Sequence, residues 1–300
     1  MAIDHVDLLG NTTELIAENK SDLWRKGKPI LIGPNCPQEH IKNYLKTQYD
    51  ADESLMYFMP KSEDGIYDFD AENNKIVRRA IDILNKDGNV IDPSVIDRAL
   101  KAKLRGRMEV MTDKIVYDGT HNAMGANKTV GLFVQKYAKD PNTELHMVLA
   151  THKMKKTIEN IEAIMNQPYF KRFTSLLITE CNDDYHVFKK WGKRCVPVKD
   201  ILNEAEGLPI LQKISVAVKR VETGEISIML ASEFLKYGSE KYEIVKLIRD
   251  VLEYLENSKD NIKIFVASRF PIYKDVVQYV EGKTYETFDD VDFDFHKDFE

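Results

Sequence analysis

Residues 115–128 read IVYDGTHNAMGANK. The opening Ile-Val-Tyr is β-branched and aromatic, as a buried strand requires. Asp118-Gly119 supplies turn chemistry, and the residues from about 122 to 139 are expected to form a helix. A strand that meets a tight turn and feeds a helix is the start of a β-α unit. The turn also gathers Asp118, His121 and Asn122. Two readings of that cluster stand side by side. In one, Asp118 makes an Asx turn and Asn122 caps the helix. In the other, Asp118 accepts ribose hydroxyls or holds a water on a metal, and His121 donates to a phosphate oxygen. An open parallel sheet collects ligand-binding groups beyond the carboxyl ends of its strands, where this cluster would lie.

Outward from this stretch, strands and helices alternate. HMVLAT (146–151), SLLITEC (175–181), ISIMLAS (226–232) and IKIFVAS (262–268) read as strands. KKTIENIEAIMNQ (155–167) and YEIVKLIRDVLEYL (242–255) have helical spacing. The order predicts an α/β domain with a mostly parallel, Rossmann-like sheet over 104–280. Residues 183–224 give no clear pattern and leave room for an insertion.

Before LRGR (104–107), which breaks the periodicity, lies a second α/β segment, 1–103. NTTELIAENKSDLW (11–24), PQEHIKNYLKTQY (37–49), AENNKIVRRAIDILNK (71–86) and DPSVIDRALKAK (92–103) read as helices. The last has an Asp cap followed by Pro at its first position. GKPILIG (27–33) and SLMYFMP (54–60) read as strands, and SEDGIYDFD (62–70) as a hairpin or loop. The Asp/Glu-rich tail 281–300 is expected to be disordered, with an acidic-aromatic partner-binding segment as the alternative.

At 300 residues the chain has room for two domains. A net charge of −6 argues against sequence-independent nucleic-acid binding, which needs a basic face. Three scattered cysteines suit a reducing, cytoplasmic setting rather than a disulfide scaffold or a zinc site. No apolar run approaches the ~20 residues of a membrane helix, and the N-terminus lacks signal-peptide character.

Taken singly, the remaining candidates are weak. Gly106-Arg107 suits phosphate recognition, but the pair is common. His5 could ligate a metal or be an ordinary surface or core residue. Lys20 could offset the dipole at a helix end, and Asn73 could be a helix cap.

Their order is more telling. DHVDLLGNTTELIAENKSDLWRKGKPILIG (4–33) resembles a folylpolyglutamate and dihydrofolate synthase segment, roughly D-H-x-D-x-L-G-x-T-x-x-x-I-A-x-E-K-A-G-I-x-K-x-G-x-P. AENNKIVRRAIDIL resembles the family's E-N-A-x-x-A-x-A-A-x-x-x-L helix. LRGRMEV resembles L-P-G-R-x-E-x, and IVYDGTHNAMGA resembles I-x-D-G-A-H-N-P-x-A. FVASRF (265–270) weakly echoes a later G-S-x-Y strand.

The resemblance implies a Mur-ligase-type enzyme: part of the central ATPase domain, then the Rossmann-like C-terminal domain. Such ligases use ATP and Mg²⁺ to turn a carboxylate into an acyl phosphate, which an amine attacks. In the folate and one-carbon metabolism of this family, the carboxylate is the γ-carboxyl of a folate and the amine is that of L-glutamate. By resemblance, His5 is a Mg²⁺ ligand and Lys20 a lysine that can be carbamylated. Asn73, Arg107 and Asp118 contact ATP, and His121 lies near the phosphates and the attacking amine.

The chain departs from the family in one large respect. It contains no G-x-x-x-x-G-K-[ST] loop to cradle phosphates. Turnover is therefore expected to need a separately encoded N-terminal ATPase half or the rest of a longer product. The alternative is a catalytically inactive binding or partner protein, or a gene remnant. Smaller departures are Ser21-Asp22 after Lys20, Asn19 for Glu, Arg105 for Pro, Ala123 for Pro, and THKMKK (151–156) in place of Asp-Lys-Asp.

Overall fold

A computed structural model of the chain describes residues 9–60, 69–86, 88, 90–102, 104–120, 123–150, 157–180, 196–238, 240–268 and 270–282. The chain divides into two compact units, Met1–Ala102 and Lys103–Glu300.

In the first unit, helix α1 (Thr13–Ser21) precedes strand β1 (Ile30–Ile32), helix α2 (Gln38–Tyr49) and strand β2 (Met56–Phe58). Helices α3 (Phe69–Lys86) and α4 (Pro93–Ala99) follow. The Thr12 hydroxyl starts α1 by accepting from the Leu15 amide at 3.1 Å, as an N-cap should. β1 and β2 pair in parallel, with Ile30 opposite Met56 and Ile32 opposite Phe58. A small core of Ala17, Trp24, Ile32, Ile41, Leu45 and Met56 fills the space beneath them. Leu23, Val77, Leu84 and Val90 are exposed.

Helix α2 ends on Asp50, a non-glycine residue with φ 50° and ψ 43°. Glycine occupies that left-handed position without steric cost. The Lys26–Asp50 pair, 3.8 Å apart and almost fully exposed, contributes little. Asp50→Gly is therefore expected to stabilise the chain by about 0.5–1 kcal/mol, read as a higher urea midpoint.

The second unit is built on one mixed sheet. Its strands are β3 (Glu109–Val110), β4 (Ile115–Asp118), β5 (Glu144–Ala150), β6 (Ser175–Thr179), β7 (Ile214–Arg220), β8 (Ile226–Leu230), β9 (Tyr242–Ile244) and β10 (Ile262–Ala267). The spatial order is β3-β4-β10-β5-β6-β7-β8, with β9 beside β7. The central run from β4 to β7 is parallel, whereas β3, β8 and β9 pair antiparallel. Helices α5 (Ala123–Tyr137), α6 (Thr157–Met165) and α7 (Val198–Glu204) belong to the β4–β7 crossovers. Helix α8 (Ala231–Tyr237) follows β8, while α9 (Ile248–Ser258) and α10 (Phe270–Glu281) flank β10.

Alternation along the strands produces two cores. Val116, Met147 and Leu149 join Val130 and Phe133 of α5 on one face. Ile115, Tyr117 and Val148 join Leu252 of α9 and Val276 of α10 on the other. This is the doubly wound α/β arrangement expected of near-continuous apolar strands. No helix among the described residues is long and apolar enough to cross a membrane.

Two parts of the sequence reading change. The spacing predicts one helix over 242–255, but Tyr242–Ile244 is a strand and α9 starts at Ile248. Along β7, β6 pairs with Ile214 and Ser215 alone, so the rest of that edge of β7 is open. The aromatic and β-branched Tyr242 and Ile244 take it, opposite Arg220 and Val218. The unread stretch 183–224 contains α7 and β7, whose Ile214, Ser215, Val216, Ala217 and Val218 are all buried. The acidic tail, expected to be disordered from 281, starts with Glu281 still in α10, and its residues 283–300, like the segments 62–68, 151–156 and 181–195, lie outside the described residues.

His146 on β5 is buried, and its Nδ1 lies 2.8 Å from the Ser175 hydroxyl. Burial lowers its pKa, against the pull of Glu144. The unfolded chain therefore binds this proton more tightly. The stability linked to His146 is complete above about pH 6.5 and is lost as the pH falls toward the lower folded value. Urea unfolding measured from pH 7.5 to 5 should show that loss, and His146→Gln should flatten the slope.

Candidate functional site

The carboxyl ends of β4 and β10 lie side by side, with Val266 opposite Tyr117 and Ala267 opposite Asp118. From β4 the chain passes through α5 to β5, beyond β10 in the sheet. From β10 it enters α10, whose side chains pack in the opposite core. Helices leaving adjacent strands for opposite faces create the crevice in which open α/β sheets bind ligands. The strand ends are tied together at that point. The Ser268 amide donates to the Asp118 carbonyl at 3.1 Å, and the Tyr117 hydroxyl donates to the Ser268 carbonyl at 2.8 Å.

Asp118 is only 1% exposed, and both its carboxylate oxygens serve the backbone. One accepts from the Thr120 amide at 2.8 Å, which is the Asx turn of the simpler sequence reading. The other accepts from the Met108 amide at 2.9 Å. That second bond reaches the Leu-Arg-Gly-Arg loop, which is also held by Gly119 donating to the Gly106 carbonyl at 2.8 Å. A Cβ on Gly119 would stand 3.3 Å from that carbonyl and 3.4 Å from Nη1 of Arg107. Position 119 thus has a close approach that only glycine makes freely.

The loop itself is sharply bent. Gly106 has φ 74° and Met108 φ 44°, so Arg107 sits between two left-handed residues. Met108 pays a steric penalty there that its bond to Asp118 offsets. The Arg107 side chain lies over Gly119 and is exposed. From the other side, Glu109 takes the Gly106 amide at 2.5 Å, Nε of Arg105 at 3.2 Å and the Tyr273 hydroxyl at 2.9 Å. Tyr273, on α10, meets Tyr117 edge-on with ring centroids 4.9 Å apart. Burial and then the Glu109 charge push the Tyr273 phenol well above its ordinary pKa, so it remains a hydrogen-bond donor.

The structure brings Arg107 and Asp118 together at the end of β4. Lys20 is exposed in the last turn of α1, and Asn73 is exposed on α3. His5, His121 and the proposed cap Asn122 lie outside the described residues. Glu109, Tyr273 and Ser268 are additions that the residue-by-residue reading did not single out. Glu109 was available as the acidic residue two places after Gly-Arg, but Tyr273 had no local signal.

No family model matches the chain. A probable dihydrofolate synthetase from Schizosaccharomyces pombe is 23% identical over 176 residues, covering 50% of this chain and 42% of the relative. A dihydrofolate synthase/folylpolyglutamate synthase from Bacillus subtilis is 24% identical over 200 residues, covering 57% and 46%. The crystal structure of a bifunctional folylpolyglutamate synthase/dihydrofolate synthase from Yersinia pestis, complexed with AMPPNP and Mn ion, superposes with a TM-score of 0.55 at 14% identity. It covers 94% of this chain and 59% of its own. The fold of the chain is similar to that of solved folylpolyglutamate synthases, at 14% to 16% identity. The chain spans slightly less than half the length of the two curated relatives, at 42% and 46%.

Proposed function

We propose that the chain is the C-terminal part of a folylpolyglutamate synthase-like ligase, which joins L-glutamate to the γ-carboxyl of a folate. The observation that carries this reading is Arg107. Its exposed guanidinium stands on a loop fastened to the end of β4, at the switch point of a synthase-type sheet. A fixed cation at that place suits the phosphates of a nucleotide.

ATP, when bound, supplies the phosphoryl group that activates the carboxylate. An exposed guanidinium fits such a ligand. Arg107 would bind and orient the phosphates, and Asn73 as a nucleotide contact follows from the resemblance. Asp118 would act on the nucleotide chiefly by holding the Arg107 loop, because both its oxygens accept backbone amides. His121 near the phosphates and His5 as a Mg²⁺ ligand follow from the resemblance. Among the described residues, no group of three or more His, Cys, Asp or Glu could hold a metal ion. Lys20 is exposed, and its role as a lysine that can be carbamylated also follows from the resemblance.

The phosphate loop would come from a segment outside these 300 residues, either a partner chain or the rest of a longer product. The decisive experiment combines the chain with that segment and measures ADP release. Release that requires ATP, Mg²⁺, a folate and glutamate together is the expected result. No such turnover, with no ADP binding by the chain, would leave the non-catalytic reading in its place.

A further inference from the structure

We propose that Glu109 and Tyr273 are positioning residues that hold Arg107 in its anion-binding posture. The inference rests on the reading of Arg107 as a phosphate contact and adds the device that presents it. Arg107 has a clamped neighbour on each side: the Gly106 amide is bound by Glu109 and the Met108 amide by Asp118. The two carboxylates are anchored on different elements. Asp118 ends β4, whereas Glu109 is tethered by the hydroxyl of Tyr273 on α10. The loop is thus fixed from both walls of the crevice, and the guanidinium between the clamps is left exposed.

An exposed arginine on an unclamped loop would lose backbone and side-chain freedom on meeting a phosphate, which weakens binding. Glu109 and Tyr273 remove much of that loss in advance. The carboxylate is a strong acceptor for the Gly106 amide, and the phenol supplies its remaining donor from a buried ring. Tyr273→Phe deletes one hydroxyl and leaves the ring packing on Tyr117 in place, so it separates positioning from folding.

The test is a double-mutant cycle on the full chain, with ADP as the probe in calorimetric titrations. Loop opening is followed in parallel by deuterium exchange across residues 105–109. Tyr273→Phe is expected to speed that exchange and weaken ADP binding about three- to tenfold. In an Arg107→Ala background the same change should have no further effect on affinity. Glu109→Ala should match or exceed Tyr273→Phe, and Glu109→Gln, which keeps an acceptor oxygen, should recover part of the loss. Unchanged exchange in Tyr273→Phe, or an affinity loss that persists undiminished without Arg107, overturns the inference while leaving the nucleotide reading intact. ADP binding that is undetectable, or equal in wild type and Arg107→Ala, overturns the nucleotide reading and this inference with it.

Discussion

Arg107→Ala, assayed with the segment that the proposed function calls on for the phosphate loop, should reduce ATP-dependent ADP release on the order of a hundredfold to a thousandfold. The urea midpoint should stay at its wild-type value. Both halves of this expectation come from the same geometry. The side chain is exposed, so removing it opens no cavity. Its loop is held by backbone amides and by Asp118 and Glu109, none of which the substitution removes. What disappears is an exposed cation at the carboxyl end of β4, where the proposed function places the phosphates of a nucleotide. Arg107→Lys should recover only a small part of the rate, because an ammonium lacks the forked donors of guanidinium. Turnover that survives Arg107→Ala within a factor of two would remove the arginine from the reaction.

Asp118→Ala should behave differently and lose stability as well as activity. The substitution strips the acceptor from two backbone donors, the amides of Met108 and Thr120. Thr120 is itself 4% exposed, so water does not readily replace the carboxylate. Unsatisfied buried donors cost about 1–3 kcal/mol each, and the expected destabilisation is about 2–5 kcal/mol. Without its bond to Asp118, the left-handed Met108 has less to hold it, and the Arg107 loop should relax. Asp118→Asn keeps one acceptor and should lose less. Urea unfolding, followed together with amide exchange of β4 and β10, separates these outcomes. A fully stable Asp118→Ala protein that has lost nucleotide binding would point instead to direct contact between Asp118 and the ligand.

The architecture was largely legible because its strongest signals are local. Ile115-Val116-Tyr117, HMVLAT and IKIFVAS are apolar, partly β-branched runs flanked by turn chemistry, and all three are central strands. β9 was not legible. Tyr242–Ile244 continues smoothly into helical spacing, and only the vacant edge of β7 makes it a strand. The site divides in the same way. The Asp-Gly turn and the Gly-Arg pair stand out in the sequence, yet the bonds that join them do not. Met108 and Asp118 are 10 positions apart, and Glu109 and Tyr273 are 164 apart. No window of sequence contains such a clamp. Asp118 also satisfies the modest reading, the Asx turn, while its second oxygen does work that reading omits.

The position of β10 between β4 and β5 has a consequence for how the protein is made. Tyr117 and Ser268, which join across the crevice, are separated by 151 positions. While the chain is being synthesised, β4 and β5 can pair with β3 and β6 on their outer edges, but their facing edges must wait, open, until a strand made much later slips between them. Closure over such a distance is slow, and waiting strand edges invite pairing with other chains. The nascent protein should therefore be most dependent on chaperones just before residues 262–267 emerge from the ribosome. The crevice at the carboxyl ends of β4 and β10 would be among the last features to form.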